Sequence, residues 1–287
     1  MSEQQRRAVR EATIEALEKQ ISQLQARQNI LTSYMQAQKS SIAAELKRQL
    51  PLPGFEGMQA SDINKKVRSE LRELGRELKT NQSEIDRQAG RWTVLMTDPQ
   101  TGAGNEDFLN HARRLVATQA RQGVHSHAAV VVIDLNHFGL INKAIGQHKG
   151  DEAIKLAAEA LRDLRPTDFV SIHKDDEAKV SRSSKAGDEF YLVLPNTTQE
   201  QAEKIMAERI QPAFRRLARE FREHPQLREN PVDMAFGVHH IQFDSFDPRI
   251  HDPHAYADGI IRQLTRGQIQ ADRKMKLNKA KLKGIMK

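Results

Sequence analysis

The stretch SSKAGDEFYLVLP, residues 183–195, sets two carboxylates, Asp188 and Glu189, behind an Ala186-Gly187 step and directly ahead of an apolar run. That run, Phe190, Tyr191, Leu192, Val193 and Leu194, is short, aromatic and aliphatic, and closed by Pro195, so it reads as a buried strand rather than a helix. A small-residue turn lets the backbone approach a ligand, and carboxylates at such a turn can hold a divalent cation through oxygen. Taken alone, the pair reads more readily as a solvated hairpin tip. The chemistry therefore requires a further carboxylate from another part of the chain. Residues 128–133, Ala-Ala-Val-Val-Val-Ile, form a continuous apolar run that ends at Asp134. This is the pattern of a central strand with a carboxylate at its carboxyl end.

The elements around these residues predict a mixed domain. Residues 150–163 carry apolar residues at helical spacing through Ile154, Ala157, Ala158 and Leu161, and residues 202–221 carry a second such face. Strands are expected at 190–194 and 234–241. Interleaved strands and helices over about 190 residues describe one α+β domain from residue 97 to 287.

The chain before residue 97 has a different texture. Ile14, Leu17, Ile21, Leu24, Leu31, Met35 and Ile42 recur at steps of three and four, with Gln28 filling one seam position. Pro51 and Pro53 break the helix, because proline lacks the amide donor and clashes with the preceding turn. A second seam runs through Val67, Leu71, Leu74, Leu78, Ile85, Trp92 and Leu95, interrupted by Asn81 and Gln88. Residues 1–96 are thus expected to form a helical hairpin or coiled coil with a dimerisation or regulatory role. The seam does not specify whether each helix pairs with the other or with a second chain.

Composition narrows the classes of function. With 38% hydrophobic and 29% charged residues in 287, the chain suits one ordinary core plus an appended element. No apolar stretch is long enough to span a bilayer, and the start has no apolar signal core, so a cytoplasmic protein without a membrane is expected. The absence of cysteine excludes disulfides, thiolate chemistry and Cys-based zinc sites. A net charge of +7 favours anionic partners, nucleotides among them, without choosing between them. The basic run 273–287 reads as a solvated face, and nucleic-acid binding is not expected because no recognition motif accompanies it. His239, His240, His251 and His254 are explained by alternating exposure and loop placement rather than by a metal.

Four blocks in order resemble the GGDEF family. IDLNHFGLINKAIGQHKGDEAI is similar to its first signature, an Asp-x-Asp-x-Phe-Lys-x-Ile-Asn-Asp segment followed by Gly-His and Gly-Asp, and SSKAGDEF is similar to its namesake loop. Upstream, TDPQTGAGNEDF resembles the opening Asp-x-Leu-Thr-Gly-Leu-x-Asn-Arg. Downstream, ADRKMKLNKAKLKG resembles the closing Ala-Asp-x-x-Met-Tyr-x-x-Lys. Together they cover about residues 96 to 287. The resemblance implies a polymerase-palm-like domain with a mainly antiparallel sheet. It also implies a diguanylate cyclase that condenses two GTP into cyclic di-GMP with release of pyrophosphate, using Mg²⁺ or Mn²⁺.

Carried over position by position, the resemblance makes Asp134, Asp188 and the Leu135 carbonyl the metal ligands, with Glu189 as a ligand or an aid to deprotonation. It makes Asn142 and Asp151 the guanine-reading pair, although by themselves they read as a helix-surface residue and a cap. The amides of Asn136, His137 and Phe138 would face the phosphates at a helix start, and Gly187 would let the loop approach the nucleotide. Lys279 would bind phosphate, with Lys283 where arginine is usual. Because each domain contributes one GTP, the resemblance implies a homodimer, and the helices could also engage a protein partner.

The chain departs from the family pattern at several positions. Gly139 stands for the usual lysine, Ser184 for arginine, Gln147 for histidine and Asn136 for the second aspartate; Gln100, Ala103 and Glu106 stand for Leu, Leu and Arg; Ala186 stands for the first glycine of the loop. Residues 177–180 lack the Arg-x-x-Asp inhibitory motif, so product inhibition there is not expected. Two readings follow: an active cyclase, or a GTP-binding domain that regulates a partner without turnover.

Overall fold

The computed structural model describes residues 3–48, 60–173 and 189–282. The predicted break at Pro51 and Pro53 lies outside them, as do Ser184, Gly187, Asp188, Lys283 and the segment 177–180. The side chains of Ile42 and Val67 are likewise not described. The chain divides into two compact units, Met1–Leu95 and Met96–Lys287.

The first unit contains α1 (Glu3–Arg48) and α2 (Ala60–Met96). They run antiparallel, because their contacts pair rising numbers on one helix with falling numbers on the other. Arg10 donates to the Leu95 carbonyl at 2.6 Å, Trp92 Nε1 to Glu18 Oε1 at 3.1 Å, and Asn81 Nδ2 to the Leu24 carbonyl at 2.9 Å. Arg27 pairs with Glu77. Ile14, Leu17 and Ile85 are buried at this seam, whereas Ile21, Leu24, Leu31, Leu71, Leu74 and Leu78 are only half-buried. Asn81 and Gln88, which break the apolar repeat, are themselves buried. Asn81 Nδ2 also donates to Gln28 Oε1 at 2.8 Å, so the polar position of the first seam meets one of the two in the second.

The second unit is an antiparallel four-stranded sheet between two layers of helix, as the α+β expectation requires. It opens with a loop rather than a helix. Asp98, buried, accepts from the Thr101 amide and hydroxyl, each at 2.9 Å. Gly102 takes a φ of 71°, which glycine allows without a side-chain clash. The loop ends at Asn105, whose side chain caps α3 (Glu106–Arg121) by accepting from the Phe108 amide at 3.1 Å.

The strands are β1 (His127–Asn136), β2 (Phe169–His173), β3 (Glu189–Pro195) and β4 (Asp233–Gln242), in the order β2-β3-β1-β4. Both faces are covered, so the two inner strands read as unbroken apolar runs. Ala129, Val131, Ile133 and Leu135 join Phe190, Leu192 and Leu194 on one face, against α4 (Phe138–Ala144), α5 (Gln147–Leu161) and α6 (Gln199–Ile205) with α7 (Gln211–Leu217). Ala128, Val130, Val132, Tyr191 and Val193 face the other way, towards α3 and α9 (Pro253–Leu282).

Two sequence expectations change here. Residues 202–221 are not one helix: α6 passes into a π-helical turn at Met206–Ile210, then α7, and α8 (Arg219–Glu223) follows a break at Ala218. Pro212 supplies the reason, since it has no amide to donate back and crowds the preceding turn. The helix expected from residue 150 begins at Gln147, and Gly146 with a φ of 105° sets its start. Strand β2 was not anticipated. It lies at the sheet edge, where Gly104 hydrogen-bonds to it by donating to the Val170 carbonyl at 3.0 Å and accepting from the Ile172 amide at 2.7 Å.

Candidate active site

Strands β1 and β3 place Asp134 directly opposite Glu189 in antiparallel register. Both point to the face covered by α9, because they continue the alternating series through Val132 and Tyr191. Like charges facing each other across two strands repel. The repulsion is answered from α9, where Lys279 forms an ion pair with Asp134, both side chains being largely buried. A second ammonium, Lys276, pairs with Asp272 at 2.8 Å. That pairing, with the fields of Glu189 and Asp134, holds Lys276 above its ordinary range.

Glu189 Oε2 accepts from the Tyr191 hydroxyl at 2.8 Å. Burial, followed by the Glu189 charge, pushes the Tyr191 phenol up, so it keeps its proton and remains a donor at neutral pH. Asp272 Oδ1 is buried and has no hydrogen-bond partner among the described residues. The site therefore gathers three carboxylates, two ammonium groups and a phenol at one end of the sheet.

Asp134 and Glu189 supply carboxylate oxygens, the donor type that Mg²⁺ or Mn²⁺ takes, but among the described residues no group of three or more His, Asp or Glu is arranged to hold a metal. Leu135, fully buried, lies past the last β1–β3 register pair, so its carbonyl is on the same rim.

Beyond Asp134 the chain turns sharply. His137 adopts a left-handed φ of 61° as the residue before α4. Asn136 is buried and its Oδ1 has no partner among the described residues. Asn142, on α4, also has a buried Oδ1 without a partner there. Its side chain fills the space a Cβ on Gly150 would take, for such an atom would lie 1.9 Å from Asn142 Oδ1. Asp151, half-buried, follows Gly150 on α5. Asn142 and Asp151 thus come from adjacent helices that meet through a glycine.

Asp134, Glu189 and Lys279 are brought together, and Asn142 lies beside the residue preceding Asp151. Gly187, Asp188 and Lys283 fall outside the described residues. Sequence reasoning missed Tyr191, Asp272, Lys276 and Gln268 as parts of this region. A signal existed: Gln268, Asp272, Lys276 and Lys279 recur at steps of four, four and three on α9, one face of a helix. Tyr191 stands two residues from Glu189, hence on the same strand face. The histidines of β4 stand opposite Val130 and Ala129, several register pairs from Asp134. His240 packs its ring 5.3 Å from that of His127.

Residues 95–263 match the family described as diguanylate cyclase, GGDEF domain. The chain is 30% identical over 132 residues to the diguanylate cyclase DgcP of Pseudomonas aeruginosa, and 31% identical over 125 residues to the cyclic di-GMP phosphodiesterase NbdA of the same organism. These matches cover 45% and 43% of this chain but only 17% and 14% of the relatives, so the chain spans a small part of their length. Among solved structures it is similar to the diguanylate cyclase SiaD in complex with its activator SiaC from Pseudomonas aeruginosa. That likeness covers 84% of each chain at 19% identity, with a TM-score of 0.41. No helix of the described residues is long and apolar enough to cross a membrane.

Proposed function

Because the chain belongs to the GGDEF domain family over residues 95–263, we propose that it is a diguanylate cyclase, joining two GTP molecules into cyclic di-GMP with release of pyrophosphate. The observation that carries this reading is the Asp134–Glu189 pair facing across β1 and β3 with Lys279 drawn onto it. A divalent cation held by these carboxylates would supply charge neutralisation for phosphoryl transfer. In this reading Asp134, Asp188 and the Leu135 carbonyl are the ligands, and Glu189 either joins them or helps take the proton from the attacking 3′-hydroxyl. Lys279, with Lys283 four residues further along the sequence, meets the phosphates.

The turn at residues 136–138 supports the phosphate role, since a left-handed residue before a helix turns successive amides towards one point. Asp151 accepts from the guanine ring N–H and amino group, and Asn142 completes that edge. An adenine would leave both polar groups unpaired. Each domain holds one GTP, so two copies must meet, and the N-terminal helices are the element proposed to bring them together or to bind a regulatory protein in the cytoplasm.

A second reading rests on Gly139. It is exposed and no atom would obstruct a side chain there, so the missing lysine reflects a missing charge and not missing space. With Ser184 also uncharged, the domain would hold GTP and regulate a partner without turnover.

The two readings part in one experiment. Purified protein incubated with GTP and Mg²⁺ should form cyclic di-GMP, at a rate per protomer that rises with protein concentration, and Asp134→Ala should abolish it. GTP binding without product gives the domain the second role. Product from Asp134→Ala at the parent rate would remove the carboxylate pair from the chemistry.

A further inference from the structure

Strand β4 ends the sheet on one side, so every second residue turns its amide and carbonyl away from β1. The Phe243 amide donates inwards to the Ser126 carbonyl at 2.8 Å, which sets the alternation: Met234, Phe236 and Val238 face outwards. A row of open carbonyls of this kind is a template for a further strand. Here all three are occupied by side chains. Gln211 Nε2, at the start of α7, donates to the Met234 carbonyl at 2.6 Å. From α9, Asn278 Nδ2 donates to the Phe236 carbonyl at 3.0 Å and Lys274 Nζ to the Val238 carbonyl at 2.8 Å. Lys274 Nζ also donates to Gln199 Oε1 on α6 at 3.2 Å, so one side chain crosses the edge from the helical layer on one face to the layer on the other.

We propose that Gln211, Lys274 and Asn278 close the β4 edge against strand addition, and that the surface they cover is one on which the β4 of a second copy would otherwise add. The strand itself gives the reason for closure. Its sequence, DMAFGVHHIQ, has no proline and a single Asp, Glu, Lys or Arg, Asp233, which is the composition of a segment prone to pair with its own kind. Two such edges fit each other antiparallel about a two-fold axis, because the same row of donors and acceptors serves both partners. An ammonium on a long stem opposes this twice, by spending a carbonyl and by placing a charge where the incoming strand would lie. The opposite edge is closed by the same logic, since Gly104 occupies the Val170 carbonyl and the Ile172 amide of β2. The closure holds whether or not the domain turns GTP over.

Lys274→Met combined with Asn278→Leu in the full chain removes two of the donors and keeps most of their volume. Neither residue belongs to the candidate active site. Sedimentation of parent and double variant at matched concentrations should show self-association strengthened on the order of ten-fold, the gain from two carbonyls free to accept from a neighbouring strand. Adding His240→Pro should restore the parent's behaviour. His240 also turns its amide outwards, so proline there takes a donor from the new pairing and none from the ladder with β1. Circular dichroism on each variant, with its melting transition, reports that the fold is kept.

A folded double variant that sediments like the parent would overturn the closure, as would new association that persists with His240→Pro in place. Should the double variant lose its melting transition, Lys274→Ala decides alone, because it opens the Val238 carbonyl and leaves Asn278 on Phe236. Association stronger than the parent's and abolished by His240→Pro then supports the proposal, and parent-like sedimentation ends it.

Discussion

The helical hairpin and the sheet domain bury their residues in opposite ways. In the sheet domain, Val131, Val132, Ile133, Phe190, Leu192 and Leu194 are sealed between two helical layers. In the hairpin, a thin line of apolar residues is buried among the described residues, and Asn81 and Gln88 share the line with them. The part-buried Asn81–Gln28 contact costs stability against a leucine pair but penalises every register in which it cannot form. The hairpin is therefore specified more by polar matching than by apolar area, whereas the sheet is specified by packing. Packing at that density keeps side chains in single positions. A site that needs Asp134 and Glu189 held face to face is better served by the sheet. An element suited to changing partners is better served by the hairpin.

The sharpest way to break this contrast is to remove the same side-chain volume from each region. Leu192→Ala opens a cavity in a closed core and should destabilise the sheet domain by about 4 kcal/mol, while Leu17→Ala, whose neighbours can close in, should cost the hairpin about 2 kcal/mol. The single tryptophan, Trp92, lies on α2, so its fluorescence follows the hairpin while calorimetry follows the whole chain. Leu192→Ala should move the calorimetric transition and leave the Trp92 transition in place. Equal shifts of both in either variant would show that the two regions unfold as one.

A smaller effect sharpens the role of close packing beneath the site. A Cβ on Gly237 would lie 2.1 Å from the Ala271 carbonyl oxygen and 2.4 Å from the Met275 amide nitrogen, both on the α9 backbone. Gly237→Ala should push α9 off β4, costing about 1–3 kcal/mol by overpacking, and should carry Lys279 away from Asp134. Thermal unfolding and GTP affinity measured on the same variant test this together. An unchanged melting temperature would mean that α9 yields without strain.

The smallest change belongs to the hairpin. Asn81→Leu replaces a polar seam residue with an apolar one and should raise hairpin stability by roughly 1 kcal/mol, while relaxing its choice of register and partner. Sedimentation of parent and variant at equal concentration, with Trp92 fluorescence for stability, reads both outcomes. A stabilised hairpin with an unaltered oligomeric state would show that register is set elsewhere, by contacts such as Trp92 with Glu18.

Much of this architecture was legible in the chain because the signals are local. Apolar residues at steps of three and four gave α1 and α2, and unbroken apolar runs gave β1 and β3, since a strand covered on both faces has no polar side to show. Asp134 and Glu189 were legible for the same reason: each stands where such a run begins or ends. Strand β2 was not, because Phe169-Val-Ser-Ile-His is short, lies at an edge and includes two polar residues. The interruption at Met206–Ile210 was hidden because an apolar face continues through it while Pro212 disturbs only the backbone.

By itself, then, the sequence determined the two regions, the inner strands and the candidate carboxylates, all of which depend on neighbours within a few residues. Only the tertiary structure decided that α1 folds back antiparallel on α2 within one chain, that Asp134 and Glu189 share a register pair, and that Lys279 reaches Asp134 from 145 positions along the chain. It also decided that Arg113 on α3 meets Gln268 on α9, two residues from two elements. The physical reason is that spacing fixes which face of an element a side chain occupies, whereas the neighbour across that face is chosen by how the whole set of elements packs.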